Sequence, residues 1–173
     1  MAGMFPTMVS DPNDKNRRYS GEATEQWPRP LRTACYLVVA SAVLMIVIGL
    51  MTLVKGVPDR LPDTWMIEGA DEALIERFRF NLRILAWGNI ALAILLSMSA
   101  AYFHKGSKTA RRIAAAGIGA TVFLNVAGFF IGVAGWASIV GVVLLVAALF
   151  GMFRPAANVF VDTRSGDLWR GVA

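Results

Sequence analysis

The chain has 173 residues, 56% of them apolar and only 17% charged, against about 25% charged in an average soluble domain. The apolar residues lie in long charge-free blocks, which excludes an ordinary water-soluble globule, and the length allows one domain. The net charge of +5 comes from Lys and Arg that flank those blocks, a pattern of membrane topology and not of nucleic-acid binding.

In chain order, residues 1–33 form a polar N-terminal tail in which Asp11, Pro12, Asn13, Asp14, Gly21, Pro28 and Pro30 are expected to break any regular element. Its end, Trp27-Pro28-Arg29-Pro30-Leu31-Arg32, reads as an interfacial anchor, with Trp27 at headgroup level and Arg29 and Arg32 facing phosphates. The same residues serve topology signalling alone, or a docking motif. Residues 34–54 then give 21 positions without a charge, a helix of about 30 Å that matches a hydrocarbon core. This block is too long and too late for a cleaved signal peptide, and the apolar run follows Cys35 where a lipoprotein signal needs it before, so the N-terminus is expected to stay attached.

Residues 55–83 are the most structured polar part. Pro58 and Pro62 start it in extended form, and Asp71 is a candidate helix N-cap. Leu74, Ile75, Phe78, Leu82 and Leu85 then keep one helical face apolar, while Glu72, Glu76, Arg79 and Arg83 occupy the other, with Glu76 and Arg79 spaced to pair. No breaker separates this pattern from the second charge-free block, 84–103. One helix from Asp71 to Phe103 is therefore expected to project about 15–20 Å beyond the bilayer. Its apolar face needs a cover, either the preceding loop folded back or a partner subunit that meets Leu74 and Phe78.

The 41 uncharged residues 113–153 are too long for one crossing, about 60 Å as a helix. Gly132, Gly135 and Trp136 mark the break, giving spans 113–131 and 137–153. The fold class is thus all-α, with a four-helix transmembrane domain over 34–153 and a C-terminal tail over 154–173. Twelve basic residues lie in the two tails and the 104–112 loop, against five on the opposite side. Both termini are therefore expected to be cytoplasmic, with 55–83 and the Gly135 turn outside.

None of the expected spans contains Asp, Glu, Lys, Arg or His, which argues against a self-contained pump or proton-coupled transporter. The polar residues that remain include Asn89 and Asn125, both near mid-depth, with Ser41, Ser97, Ser99, Thr121 and Ser138. The two asparagines read first as a helix-packing clamp and second as part of a small-molecule site. Small residues four apart (Ala115 and Gly119, Gly117 and Thr121, Gly128 and Gly132, Ala137 and Gly141) let backbones approach, either packing the third helix on the fourth or docking another chain. One cysteine, Cys35, and one histidine, His104, form neither an internal disulfide nor a metal or haem site alone. Ala116-Gly117-Ile118-Gly119 follows no strand, so it is not a dinucleotide loop. No catalytic set is visible; no enzyme activity and no cofactor are expected.

The run Trp27 to Ala34 before an apolar span, together with the ending Phe153-Arg154-Pro155-Ala156-Ala157-Asn158, resembles small four-helix membrane proteins of high-GC actinobacteria. Some of those accompany respiratory or cell-envelope complexes as accessory subunits. The resemblance implies a non-catalytic accessory subunit of a larger membrane complex, foremost a respiratory cytochrome supercomplex, with other integral membrane subunits and lipids as partners. The alternatives are a small oligomeric transporter or channel lined by Asn89, Asn125 and the serines, and a cell-envelope assembly factor that presents 55–83.

Overall fold

The structure is a computed structural model that describes residues 27–57, 65 and 72–170, with side chains as far as residue 164. The expectations for residues 1–26, the extended start at Pro58 and Pro62, and the cap at Asp71 lie outside the described residues.

Helix α1 (Arg29–Lys55) begins five residues before the expected span. Pro30 does not break it, because it stands in the first turn, where its missing N–H would have no helical partner and its fixed φ already suits the helix. The helix ends at Gly56, whose φ of 68° is left-handed and whose N–H bonds the Thr52 carbonyl. Helix α2 (Glu72–Ala101) runs without interruption through the boundary between outer segment and span, as its unbroken apolar face predicts. A 3-10 turn (Phe103–Lys105) closes on Gly106, again left-handed with φ 69°. Ser107 then caps α3 (Lys108–Phe130), its hydroxyl accepting the Ala110 N–H at 3.2 Å. The expected break after α3 is present: Gly132 takes φ 75°, and the N–H groups of Val133 and Ala134 both bond the Gly128 carbonyl. Gly135 precedes α4 (Trp136–Met152).

The segment 154–173 is not a plain tail. Residues Pro155–Arg170 form α5, which departs from α4 at 64° and buries Ala157, Phe160 and Val161 against the bundle. These apolar positions recur at i, i+3 and i+4, one helical stripe too narrow to register beside the charged residues around it.

Helices α1 to α4 pack in a ring in which each touches its two sequence neighbours and α4 closes back on α1. The start of α1, the 3-10 turn and α5 share one end, since Leu31, Phe103, Met152 and Phe160 belong to one buried cluster. Residues Gly56 and Trp65 and the turn after α3 share the other end. A smaller cluster (Ala42, Met45, Ala93 and Val142) fills the middle. Three helical stretches are long and apolar enough to cross a membrane, Arg29–Lys55, Glu72–Lys105 and Lys108–Phe130, and a fourth counts when α4 and α5 are taken together. Only 28–39% of the most apolar part of each of the three is buried inside the bundle, so most of their apolar surface points outward.

The overhang of α2 is smaller than its length suggests. Thr52, Gly56 and Val57 lie level with Arg79, Leu82 and Arg83 around one cleft, which leaves the two turns Glu72–Arg79, about 10 Å, beyond the end of α1. Trp65 covers that projection. It meets Phe78 edge to face with ring centroids 5.2 Å apart, and its indole N–H donates to the Ile131 carbonyl of the turn after α3.

Candidate functional site

Depth and chemistry single out the polar residues of the bundle interior. Asn89 on α2 and Asn125 on α3 are 1% and 0% exposed and face each other as two amides in register. Asn89 Nδ2 donates to Asn125 Oδ1 at 3.1 Å, and Asn125 Nδ2 donates to Asn89 Oδ1 at 2.7 Å. The second hydrogen of the Asn125 amide goes to the Thr121 carbonyl at 2.8 Å, while the Thr121 hydroxyl donates to the Gly117 carbonyl at 2.8 Å. Across the ring, Ser41 of α1 donates to the Gly141 carbonyl of α4 at 2.9 Å. These groups are turned toward one another, and the Asn125 amide, with both donor hydrogens and its oxygen engaged, has little left for a solute. Ser138 is the exception, its hydroxyl buried without a partner among the described residues.

The small residues work on seams other than the expected one. A Cβ on Gly117 would meet Leu96 of α2 at 3.2 Å, and one on Gly128 would meet Leu85 of α2 at 3.1 Å. On the other side, one on Gly141 would run into the Met45 side chain of α1 at 2.5 Å. Glycines of α3 thus admit large side chains of α2, and Gly141 of α4 admits α1, while toward α4 Gly128 admits only Ala134 of the connecting turn, at 3.2 Å. Gly119 has open space above it and points out of the bundle. A sequence spacing shows that two small residues share a face, but not which neighbour that face meets.

At the end that carries α5, polar contacts fix the terminal helix. Arg111 of α3 donates to Asn158 Oδ1 at 2.6 Å and to the Met152 carbonyl at 3.5 Å, with its guanidinium 5.0 Å from the Phe153 ring centre. Lys108 pairs with Asp162 at 3.0 Å. Arg111 therefore ties the start of α3 to the last turn of α4, where a cation also suits the helix dipole. Nothing in the sequence ranked Arg111 above its neighbours, because its partner Asn158 lies 47 residues away.

The remaining expectations are placed as follows. Arg29 and Arg32 are exposed, but Trp27 is half-buried against the core cluster, with Nε1 shielded and unpartnered among the described residues. It packs on the bundle end, where Leu31 offers apolar surface within about one turn of it. Phe78 is buried and Leu74 half-buried beside Trp65. Glu76 and Arg79 do not pair; the ion pair formed among the described residues is the one at Lys108, and exposed pairs one turn apart gain too little to hold two long side chains. His104 is exposed in the 3-10 turn, and the Cys35 thiol packs inward against the Ala100 carbonyl at 3.7 Å. No group of three or more His, Cys, Asp and Glu suited to a metal occurs among the described residues. No protein-family profile matches the chain, and no match is found among curated proteins or solved structures.

Proposed function

We propose that this protein is a multi-pass membrane protein that acts as a non-catalytic accessory subunit of a larger membrane complex. The observation that carries the reading is the contrast between its two surfaces. The buried amides and the Ser41 hydroxyl hold helices together, while large apolar side chains such as Trp87, Phe123 and Phe150 stand 61–76% exposed around the outside. A bundle arranged this way acts through the faces it presents to lipid and to neighbouring subunits.

The level of the helix ends supports a reading with four crossings. Arg111 near the start of α3 reaches Met152 at the end of α4, and a five-residue turn joins their other ends, so α4 spans the same thickness as α3. Its 17 residues give about 25 Å, at the short end of what a bilayer accepts. Helix α5, bent away by 64° and carrying Asp162 and Arg164, lies along the surface. The end with α5 carries the excess of Lys and Arg and is assigned to the cytoplasm of a bacterial cell.

A respiratory cytochrome assembly is the specific complex we favour, on the strength of the sequence resemblance. Deleting the gene and measuring yield, stability and turnover of that assembly tests this. The proposal expects a loss in at least one of the three; an assembly unchanged in all of them would overturn the respiratory assignment.

A further inference from the structure

The end of the bundle opposite α5 carries three basic side chains around the α1–α2 seam. Arg79 and Arg83 stand one helical turn apart on the same face of α2 and line a cleft of about 140 Å³ with Thr52, Gly56 and Leu82. A second cleft, about 390 Å³, shares those last three residues and adds Lys55, Ile48 and Met51. The combined surface has two characters. Its rim is cationic, and its lower wall, toward mid-bundle, is aliphatic.

Two like charges at i and i+4 repel each other, and among the described residues no carboxylate lies within ion-pair distance of Lys55, Arg79 or Arg83. The basic residues on this side also run against the rule that places Lys and Arg on the cytoplasmic side. Depth supplies an independent mark. Trp87, 61% exposed, lies one turn below Arg83 on α2, and Trp136, 74% exposed, starts α4 at the same end; exposed tryptophans of this kind sit at the membrane–water interface. The rim is thus level with lipid headgroups and the aliphatic wall with the upper acyl chains.

The geometry points to a binding site for an anionic phospholipid at the outer end of the α1–α2 seam. Arg79 and Arg83 hold the phosphate, Lys55 adds a third charge, and an acyl chain lies along Ile48 and Met51. Arginine suits this task because its planar fork meets phosphate oxygens in pairs. The Thr52 hydroxyl donates to the Ile48 carbonyl at 2.8 Å, so it offers the ligand no proton and serves as wall. The inference goes beyond the accessory-subunit reading and stands or falls separately from it.

Native mass spectrometry of the full-length protein in detergent, titrated with phosphatidylglycerol, tests it. Phosphatidylcholine serves as the zwitterionic comparison and inorganic phosphate as the soluble competitor. A basic residue near a membrane surface contributes enough that each one removed is expected to weaken binding about fivefold, so Arg79→Gln with Arg83→Gln loses about twenty-five-fold. The same substitutions on the opposite end, Arg112→Gln with Arg154→Gln, are expected to leave this binding unchanged. All four side chains are exposed, and unchanged helicity by circular dichroism checks that each variant is folded. Phosphatidylglycerol bound more tightly than phosphatidylcholine, lost in R79Q/R83Q and resistant to millimolar phosphate, supports the lipid site. Displacement of the lipid by phosphate alone would replace it with a site for a free phosphate group. Equal binding by wild type and R79Q/R83Q, or no preference for the anionic lipid, would overturn it.

Discussion

Removing one amide of the central pair is expected to cost more at Asn125 than at Asn89. The side-chain bonds of Asn89 run to Asn125, whereas Asn125 also donates to the Thr121 carbonyl. Asn125→Ala therefore strands both ends of the Asn89 amide in an apolar interior, while Asn89→Ala leaves Asn125 one donor still engaged. Side-chain hydrogen bonds between membrane helices contribute about 0.6 kcal/mol on average and about 1.7 at most. The two between the asparagines are lost in either variant, and Asn125→Ala also loses the bond to Thr121, so Asn125→Ala is expected to destabilise by about 1–3 kcal/mol and Asn89→Ala by somewhat less. The double variant leaves no stranded amide, and its cost falls short of the sum by about 1–2 kcal/mol. Reversible unfolding in mixed micelles, followed by far-ultraviolet circular dichroism over a series of detergent mole fractions, measures all four corners of the cycle. A coupling energy of zero, or a larger loss at Asn89 than at Asn125, would refute the argument that the pair clamps α2 to α3.

Other outcomes follow from the same packing. A Cβ on Gly49 would stand 2.9 Å from the Ala86 carbonyl oxygen, so Gly49→Ala is expected to push α1 from α2 and lose about 1–3 kcal/mol in the same unfolding assay. Gly119→Ala meets open space and is expected to be neutral or to stabilise by up to about 1 kcal/mol. Arg111→Ala removes the bond to Asn158 and is expected to speed amide exchange in α5 by about ten-fold or more, read by hydrogen-exchange mass spectrometry, since a charged hydrogen bond contributes about 1.5–3 kcal/mol. Trp65→Ala loses the Phe78 contact and the bond to Ile131, a drop of about 1–3 kcal/mol in thermal unfolding. On a Cys35→Ala background, cysteines placed at Gly56 and Ala134 are expected to label from outside the cell, and those at Lys105 and Arg154 only after permeabilisation; the reverse partition contradicts the orientation, and any other contradicts four crossings.

Much of this arrangement is legible in the sequence because its causes are local. Charge-free blocks of helix length mark the apolar helices, and the glycines from 132 to 135 mark the turn between α3 and α4. Asn89 and Asn125 stand out because polar side chains inside apolar blocks need partners, and the nearest are each other. What escapes sequence reading is non-local. The glycines of α3 and α4 share faces with known spacing, yet only the ring order shows that those faces meet α2 and α1. Helix α5 is hidden because its buried stripe runs only from Ala157 to Val161, directly after Arg154 and Pro155, and its dock depends on Arg111 and Lys108, about fifty residues earlier. Pro30 reads as a breaker until the first turn of α1 is seen to begin at Arg29.

Affinity purification from native membranes in mild detergent, read by native gel, mass spectrometry and visible spectrum, tests the central claim most directly. The account predicts migration at high mass together with other integral membrane subunits, and haem absorbance in the same band if the complex is respiratory. A lone species near 18.7 kDa plus its detergent, free of other subunits, would contradict it.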